Sequence, residues 1–174
     1  MNARRLFLAF WPNEQQLEKL HELQCEYVGW GREVIPENFH VTLLFLGNIS
    51  YDMTDCVVQN LQDISTQPFS MKLDRFGYFD KTKIFWVGPT SVPSELESLY
   101  KSVRNCAQSC GISKLSKRYV PHVSLLRKSQ IPTSNPDFAA IEWQVDKFHL
   151  VESRLDKEGA RYYTLDSFPS VNHV

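Results

Sequence analysis

His40-Val41-Thr42-Leu43-Leu44 and His122-Val123-Ser124-Leu125-Leu126 are two copies of one pattern, His-Val-hydroxyl-Leu-Leu. Each lies in an apolar run that reads as a strand, Phe39 to Leu46 and Tyr119 to Leu126, and the first closes at the strand stop Gly47-Asn48. In a strand, residues i and i+2 point the same way. His40 therefore shares a face with Thr42, and His122 with Ser124. Val41, Leu43, Val123 and Leu125 face the other way, where helices can cover them. His-x-Ser/Thr alone is close to chance; the shared Val and Leu-Leu frame is what makes the pair informative. The repeat predicts two halves of the chain bringing matching strands to one cleft.

Outward from these strands, Arg4 to Trp11 reads as a strand ended by Pro12, and Asn13 caps a helix to about Tyr27 with Leu17, Leu20 and Leu23 on its apolar side. Asp52 to Ile64 reads as a second helix. Phe69 to Tyr78 alternates as one half-buried strand, and Asp80-Lys81-Thr82-Lys83 turns it into Ile84-Phe85-Trp86-Val87. Ser94-x-x-Glu97 is a capping box that opens a third helix, stopped at Gly111. After a looser segment from Lys128 to Pro136 come two last strands, about 147–155 and 162–168, around a turn at Asp156-Lys157-Glu158-Gly159. The order is β-α-β-α-β-β-α-β-β-β. Hairpins mixed with crossovers predict an α+β fold with a mostly antiparallel sheet, and no linker divides residues 1–174 into independent domains.

The chain has 174 residues, 43% hydrophobic and 22% charged, with a net charge of −1. That is enough for one domain with a sizeable core, and the near-neutral balance excludes a general polyanion-coating mode while leaving room for a local basic patch. The N-terminal run, interrupted at Pro12, is too short for a signal peptide or a membrane span. Of Cys25, Cys56, Cys106 and Cys110, none makes a C-x-x-C pair, and Cys106 and Cys110 sit one helical turn apart, a poor disulfide geometry. No histidine cluster stands near them to complete a zinc site. The expectation is four reduced, mostly buried thiols in a cytoplasmic protein.

Two histidines, each with a hydroxyl two residues on, suit metal-free cleavage of a phosphodiester. One histidine, near its ordinary pKa of about 6.5, activates the nucleophile and the other protonates the leaving oxygen. The Thr42 and Ser124 hydroxyls can donate to non-bridging phosphoryl oxygens. Arg127, three residues after Ser124, can bind a phosphate oxygen in fork geometry or stand solvated at the strand end. The absence of clustered carboxylates near either motif argues against a two-metal mechanism, and no cofactor is expected.

Asn38-Phe39-His40-Val41-Thr42-Leu43-Leu44-Phe45-Leu46-Gly47 and Pro121-His122-Val123-Ser124-Leu125-Leu126-Arg127 resemble the paired motifs of the two-histidine phosphoesterase superfamily, in its RNA 2′,3′-cyclic phosphodiesterase branch, historically called 2′-5′ RNA ligase. The likeness extends to Arg5-Leu6-Phe7-Leu8-Ala9-Phe10, Ile84-Phe85-Trp86-Val87-Gly88, Leu150-Val151-Glu152-Ser153 and Tyr162-Tyr163-Thr164-Leu165. One departure is Ser124, where this branch more often shows Thr. The resemblance implies a bilobal α+β fold, pseudo-twofold symmetric, with two mostly antiparallel sheets lining a central cleft and helices outside. It implies hydrolysis of a terminal 2′,3′-cyclic phosphate to a 2′-phosphate, with His40 as proton donor to O3′ and His122 as proton acceptor from water, or the reverse order. Thr42 and Ser124, with Arg127, would bind the phosphate. Phe7 and Phe45 are candidates for stacking on the base, with core packing as the competing role. Tyr119, Lys117 and Arg118 either touch the flanking RNA or form a solvated loop. His149 reads as structural, His21 and His173 as surface residues. Partners are RNA ends or small cyclic nucleotides, with no membrane and no obligate protein partner for a monomer. Competing readings are 2′-5′ ligation, action on small cyclic or 2′-5′-linked nucleotides, and a non-catalytic RNA-end-binding module.

Overall fold

β1 (Ala3–Phe10) is buried on both faces from Leu6 onward, because it lies inside a four-stranded sheet of order β10-β9-β1-β3. The computed structural model describes residues 3–116, 118–133, 136–157 and 159–170. Its partners are β3 (Val41–Ser50), β9 (Lys147–Leu155) and β10 (Ala160–Pro169). A second four-stranded sheet has the order β2-β7-β6-β5, from β2 (Arg32–Glu33), β5 (Arg75–Phe79), β6 (Ile84–Gly88) and β7 (Val123–Arg127). A two-stranded sheet joins β4 (Phe69–Leu73) to β8 (Ile141–Val145). Every pairing is antiparallel. The expected α+β class therefore holds, with one histidine strand in each large sheet.

Helix α1 (Glu14–Cys25) starts as its sequence predicts: Asn13 Oδ1 accepts from Gln16 N at 2.9 Å, and Gln16 Oε1 accepts from Asn13 N at 2.8 Å. Leu20 and Leu23 face the core. Helix α2 (Tyr51–Leu61) is capped by Ser50. Helix α3 (Ser94–Ser109) buries Leu96, Leu99, Val103 and Ala107 at helical spacing. It ends in a Schellman motif, with Gly111 N donating to Gln108 O, Ile112 N to Ala107 O, and Gly111 at φ 84°. The capping box expected at its start does not form. Ser94 is already inside the helix behind Pro93, one position late for a cap, and its Oγ donates to Glu95 Oε2 at 3.0 Å instead.

Three other expectations are corrected. Phe69 to Tyr78 is two strands: β4 pairs with β8, and after Asp74 the chain changes sheets so that β5 pairs with β6. β8 and the short β2 escaped the sequence reading. The four thiols are not all reduced: Cys56 of α2 and Cys110 at the end of α3 form a disulfide, with Cα atoms 5.8 Å apart. Packing of α2 against α3 brings them together from 54 residues apart in sequence. Cys25 and Cys106 are free. Lys117, Glu158 and His173 lie outside the described residues.

Candidate active site

Both histidines immediately precede their strands and are held identically. His40 Nδ1 donates to Asn38 O at 2.7 Å, and His122 Nδ1 donates to Val120 O at 2.7 Å. A carbonyl only accepts, so each Nδ1 carries the proton of the neutral ring and each Nε2 presents its lone pair. The two sides differ at that second nitrogen. Thr42 Oγ1 donates to His40 Nε2 at 3.0 Å; among the described residues no group bonds His122 Nε2.

Each Leu-Leu pair marks a β-bulge. In β3, Thr42 pairs with Ala9 and Leu44 with Leu8, so Leu43 is the extra residue; in β7, Ser124 pairs with Trp86 and Leu126 with Phe85, so Leu125 is extra. Leu43, Leu44, Leu125 and Leu126 are all buried. Two successive residues therefore point into the core, and the residues on either side of them share the cleft face. Ser124 and Arg127, three apart, are thus brought to one side, as are Thr42 and Phe45. Plain alternation would have sent Arg127 away from the histidines.

Aromatic rings surround each imidazole. His40 has Phe7 at 5.1 Å, Tyr162 at 5.2 Å and Trp11 at 5.7 Å between centroids. His122 has Phe79 at 4.8 Å and Trp86 at 5.7 Å. Burial pushes His40 down to about 4; the bond to Asn38 O opposes this, and positive charge on His122 and Arg127 adds to it. Burial also lowers His122, against its bond to Val120 O and with repulsion from Arg127. Arg127 thus lies within electrostatic reach of both rings.

Beside Thr42 and His122 opens a cleft of about 600 Å³, walled by Phe45, Phe79, Trp86 and Tyr119 from the two large sheets and the loop before β7. Among the described residues no carboxylate lines it, while Arg75 and Arg118 do. Phe45 is 45% exposed there, with the Arg5 guanidinium over its ring at 5.1 Å. Phe7 is 3% exposed beneath His40 and Tyr162, so it supports the histidine and offers no face to a base. Tyr119 stacks on Tyr100 at 4.4 Å, and burial raises its hydroxyl pKa. His149 bonds Ser167 Oγ at 2.8 Å, in keeping with its structural reading.

The sequence profile of the 2′-5′ RNA ligase superfamily matches residues 12–157, which include both histidine motifs. The chain belongs to that superfamily. A protein of Aquifex aeolicus named RNA 2′,3′-cyclic phosphodiesterase is 29% identical over 97% of this chain and 98% of its own. One of the same name from Thermotoga maritima is 30% identical over 92% of each. The crystal structure of LigT from Escherichia coli in its apo form superposes with a TM-score of 0.91 at 25% identity, over 99% of this chain and 100% of that one. The superfamily's two-lobed fold is therefore this chain's fold.

Of the superfamily site read from sequence, the structure brings His40, Thr42, His122, Ser124 and Arg127 to one region and leaves Phe45 open beside it. The reading missed Trp11, Tyr162, Phe79, Trp86 and Arg75. Arg75 and Phe79 carry a faint signal, since they alternate with Phe76 and Tyr78 on β5. Trp11 directly follows β1 and Tyr162 lies in β10, and only the sheet order reveals that these elements meet beside His40.

Proposed function

We propose that this protein is an RNA 2′,3′-cyclic phosphodiesterase, opening a terminal 2′,3′-cyclic phosphate to a 2′-phosphomonoester and a free 3′-hydroxyl without a metal ion. One observation carries the reading: two imidazoles with identically anchored Nδ1 atoms stand within electrostatic reach of each other, one of them lining a cleft where no carboxylate stands among the described residues. His122, whose Nε2 has no protein partner among the described residues, takes the proton of the attacking water. As the P–O3′ bond breaks, His40 gives O3′ its proton. In the free protein burial keeps His40 neutral near pH 7; the arriving phosphate anion supplies the negative charge that favours its protonated form. Arg127, Thr42 and Ser124 hold the non-bridging oxygens, and Phe45 supports the base.

A single domain spanning residues 1–174 carries both histidines, so a monomer suffices. Among the described residues, no helix is long and apolar enough to cross a membrane. A substrate made of RNA ends supports a cytoplasmic location, and the Cys56–Cys110 bond is unusual for that compartment.

The test uses an RNA ending in a 2′,3′-cyclic phosphate, incubated with the protein and EDTA. A 2′-phosphate product is expected. A 3′-phosphate would overturn the leaving-group assignment, and a requirement for metal would overturn the acid–base scheme. Ligation, which the superfamily's name carries, is the same opening of the cyclic phosphate with an RNA 5′-hydroxyl in place of water as nucleophile; added 5′-hydroxyl RNA would reveal it as joined product.

A further inference from the structure

A second built feature lies on the cleft face of β5 and β6. Arg75, Gly77 and Phe79 share that face of β5, and Gly77 pairs with Trp86. The indole lies against this glycine: a Cβ on Gly77 would land in the ring, and one on Gly88 would come within 2.9 Å of it. Trp86 is thereby seated on the strand backbone at 4% exposure. The Arg75 guanidinium stands 5.0 Å over its ring, and Phe79 lies 5.2 Å away. Arg75 Nε donates to Pro89 O at 2.9 Å, which fixes the fork, and no carboxylate pairs with Arg75 among the described residues. Trp86 Nε1–H is buried and has no hydrogen-bond partner among the described residues.

An orphaned buried N–H is rare and asks for an acceptor. Here the indole that carries it lies beneath the anchored guanidinium, and both residues line the cleft next to His122, where no carboxylate stands among the described residues. A guanidinium whose Nε is engaged by Pro89 O but which pairs with no carboxylate among the described residues, next to an indole N–H without a partner, suits an anion, and planar Arg donors fit phosphate oxygens. The cleft volume of about 600 Å³ exceeds what a reacting cyclic phosphate fills. In a ribose whose 2′,3′ edge faces the histidines, O5′ leaves from the other side of the ring.

We propose that Arg75 and the Trp86 indole N–H form a second phosphate subsite, which takes the phosphate on O5′ of the nucleotide bearing the cyclic phosphate. This rests on the phosphodiesterase reading above and adds a preference: substrates with a 5′ phosphate, whether terminal or part of an RNA chain, outcompete those without one.

Three substrates test it: adenosine 2′,3′-cyclic phosphate with a free 5′-hydroxyl, the same nucleoside with a 5′-monophosphate, and a dinucleotide ending in the same group. The wild-type protein is expected to show kcat/KM about tenfold higher on the second and third than on the first, mainly through KM. Arg75→Ala is expected to bring both ratios near one. Arg75→Lys, which keeps the charge and the alkyl stem, should retain part of each ratio. A wild-type ratio of one, ratios that survive in Arg75→Ala, or a gain confined to the dinucleotide would overturn the subsite. Turnover of none of the three would instead overturn the phosphodiesterase reading. Calorimetry then reads the subsite alone: adenosine 3′,5′-bisphosphate should bind about tenfold more tightly than adenosine 3′-monophosphate, with Arg75→Ala losing that margin. Equal wild-type affinities would overturn it.

Discussion

At the scale of single residues, the site depends on where two protons sit. Anchoring Nδ1 to a carbonyl two residues back fixes ring orientation and tautomer together, leaving Nε2 for chemistry. His40→Ala and His122→Ala should each lower kcat by about 10²–10⁴-fold in steady-state assays. A variant that keeps most of its activity would remove that histidine from the mechanism. Burial has a second consequence. His40 titrates near 6.5 when unfolded and about 4 when folded, so between those values the unfolded chain binds the extra proton. The associated stability is present above pH 6.5 and is lost as pH falls toward 4. Melting temperature should therefore drop across that window, and drop less steeply in His40→Asn. For the same reason, the acid limb of kcat/KM should lie below the ordinary histidine value, because the lowered His122 is the proposed base.

At the scale of elements, the paired leucines matter more than the histidine tripeptide. Regular alternation would expose one leucine of each pair; the bulges bury both. Leu43→Ala, Leu44→Ala, Leu125→Ala and Leu126→Ala should each cost about 2–5 kcal/mol, read from denaturant midpoints. A cheap substitution within either pair would contradict the bulge. The repeat was legible in sequence, but its geometric meaning was not, because a bulge is defined only against the partner strand. The break at Asp74 was hidden for a related reason. The chain stays extended through it and changes only the strand it pairs with. Phe7 shows the same limit: its apolar strand allowed either stacking or packing, and the crossing of Tyr162 over it decides for packing.

At the scale of the whole molecule, the disulfide links the helix after β3 to the helix before β7, the two strands that follow the histidines. Closing a loop of 54 residues restricts the unfolded chain. Cys56→Ser with Cys110→Ser should lower stability by about 2–4 kcal/mol, and dithiothreitol should lower the wild-type melting temperature but not that of the double variant. An unchanged melt would show that α2 and α3 hold together by packing alone.

The sequence by itself determined the mixed α+β class, most helices and strands, and the histidine–hydroxyl pairs. These rest on short-range physics: side-chain periodicity, a capping Asn13, a stopping Gly111, and a repeat only five residues long. Tertiary structure alone decided that Arg127 faces the histidines, that Cys56 meets Cys110, that Trp86 lies on Gly77 beneath Arg75, and that the histidine pKa values fall. Each of these depends on which strand or helix arrives alongside, and burial and strand partnership are properties of the assembled chain.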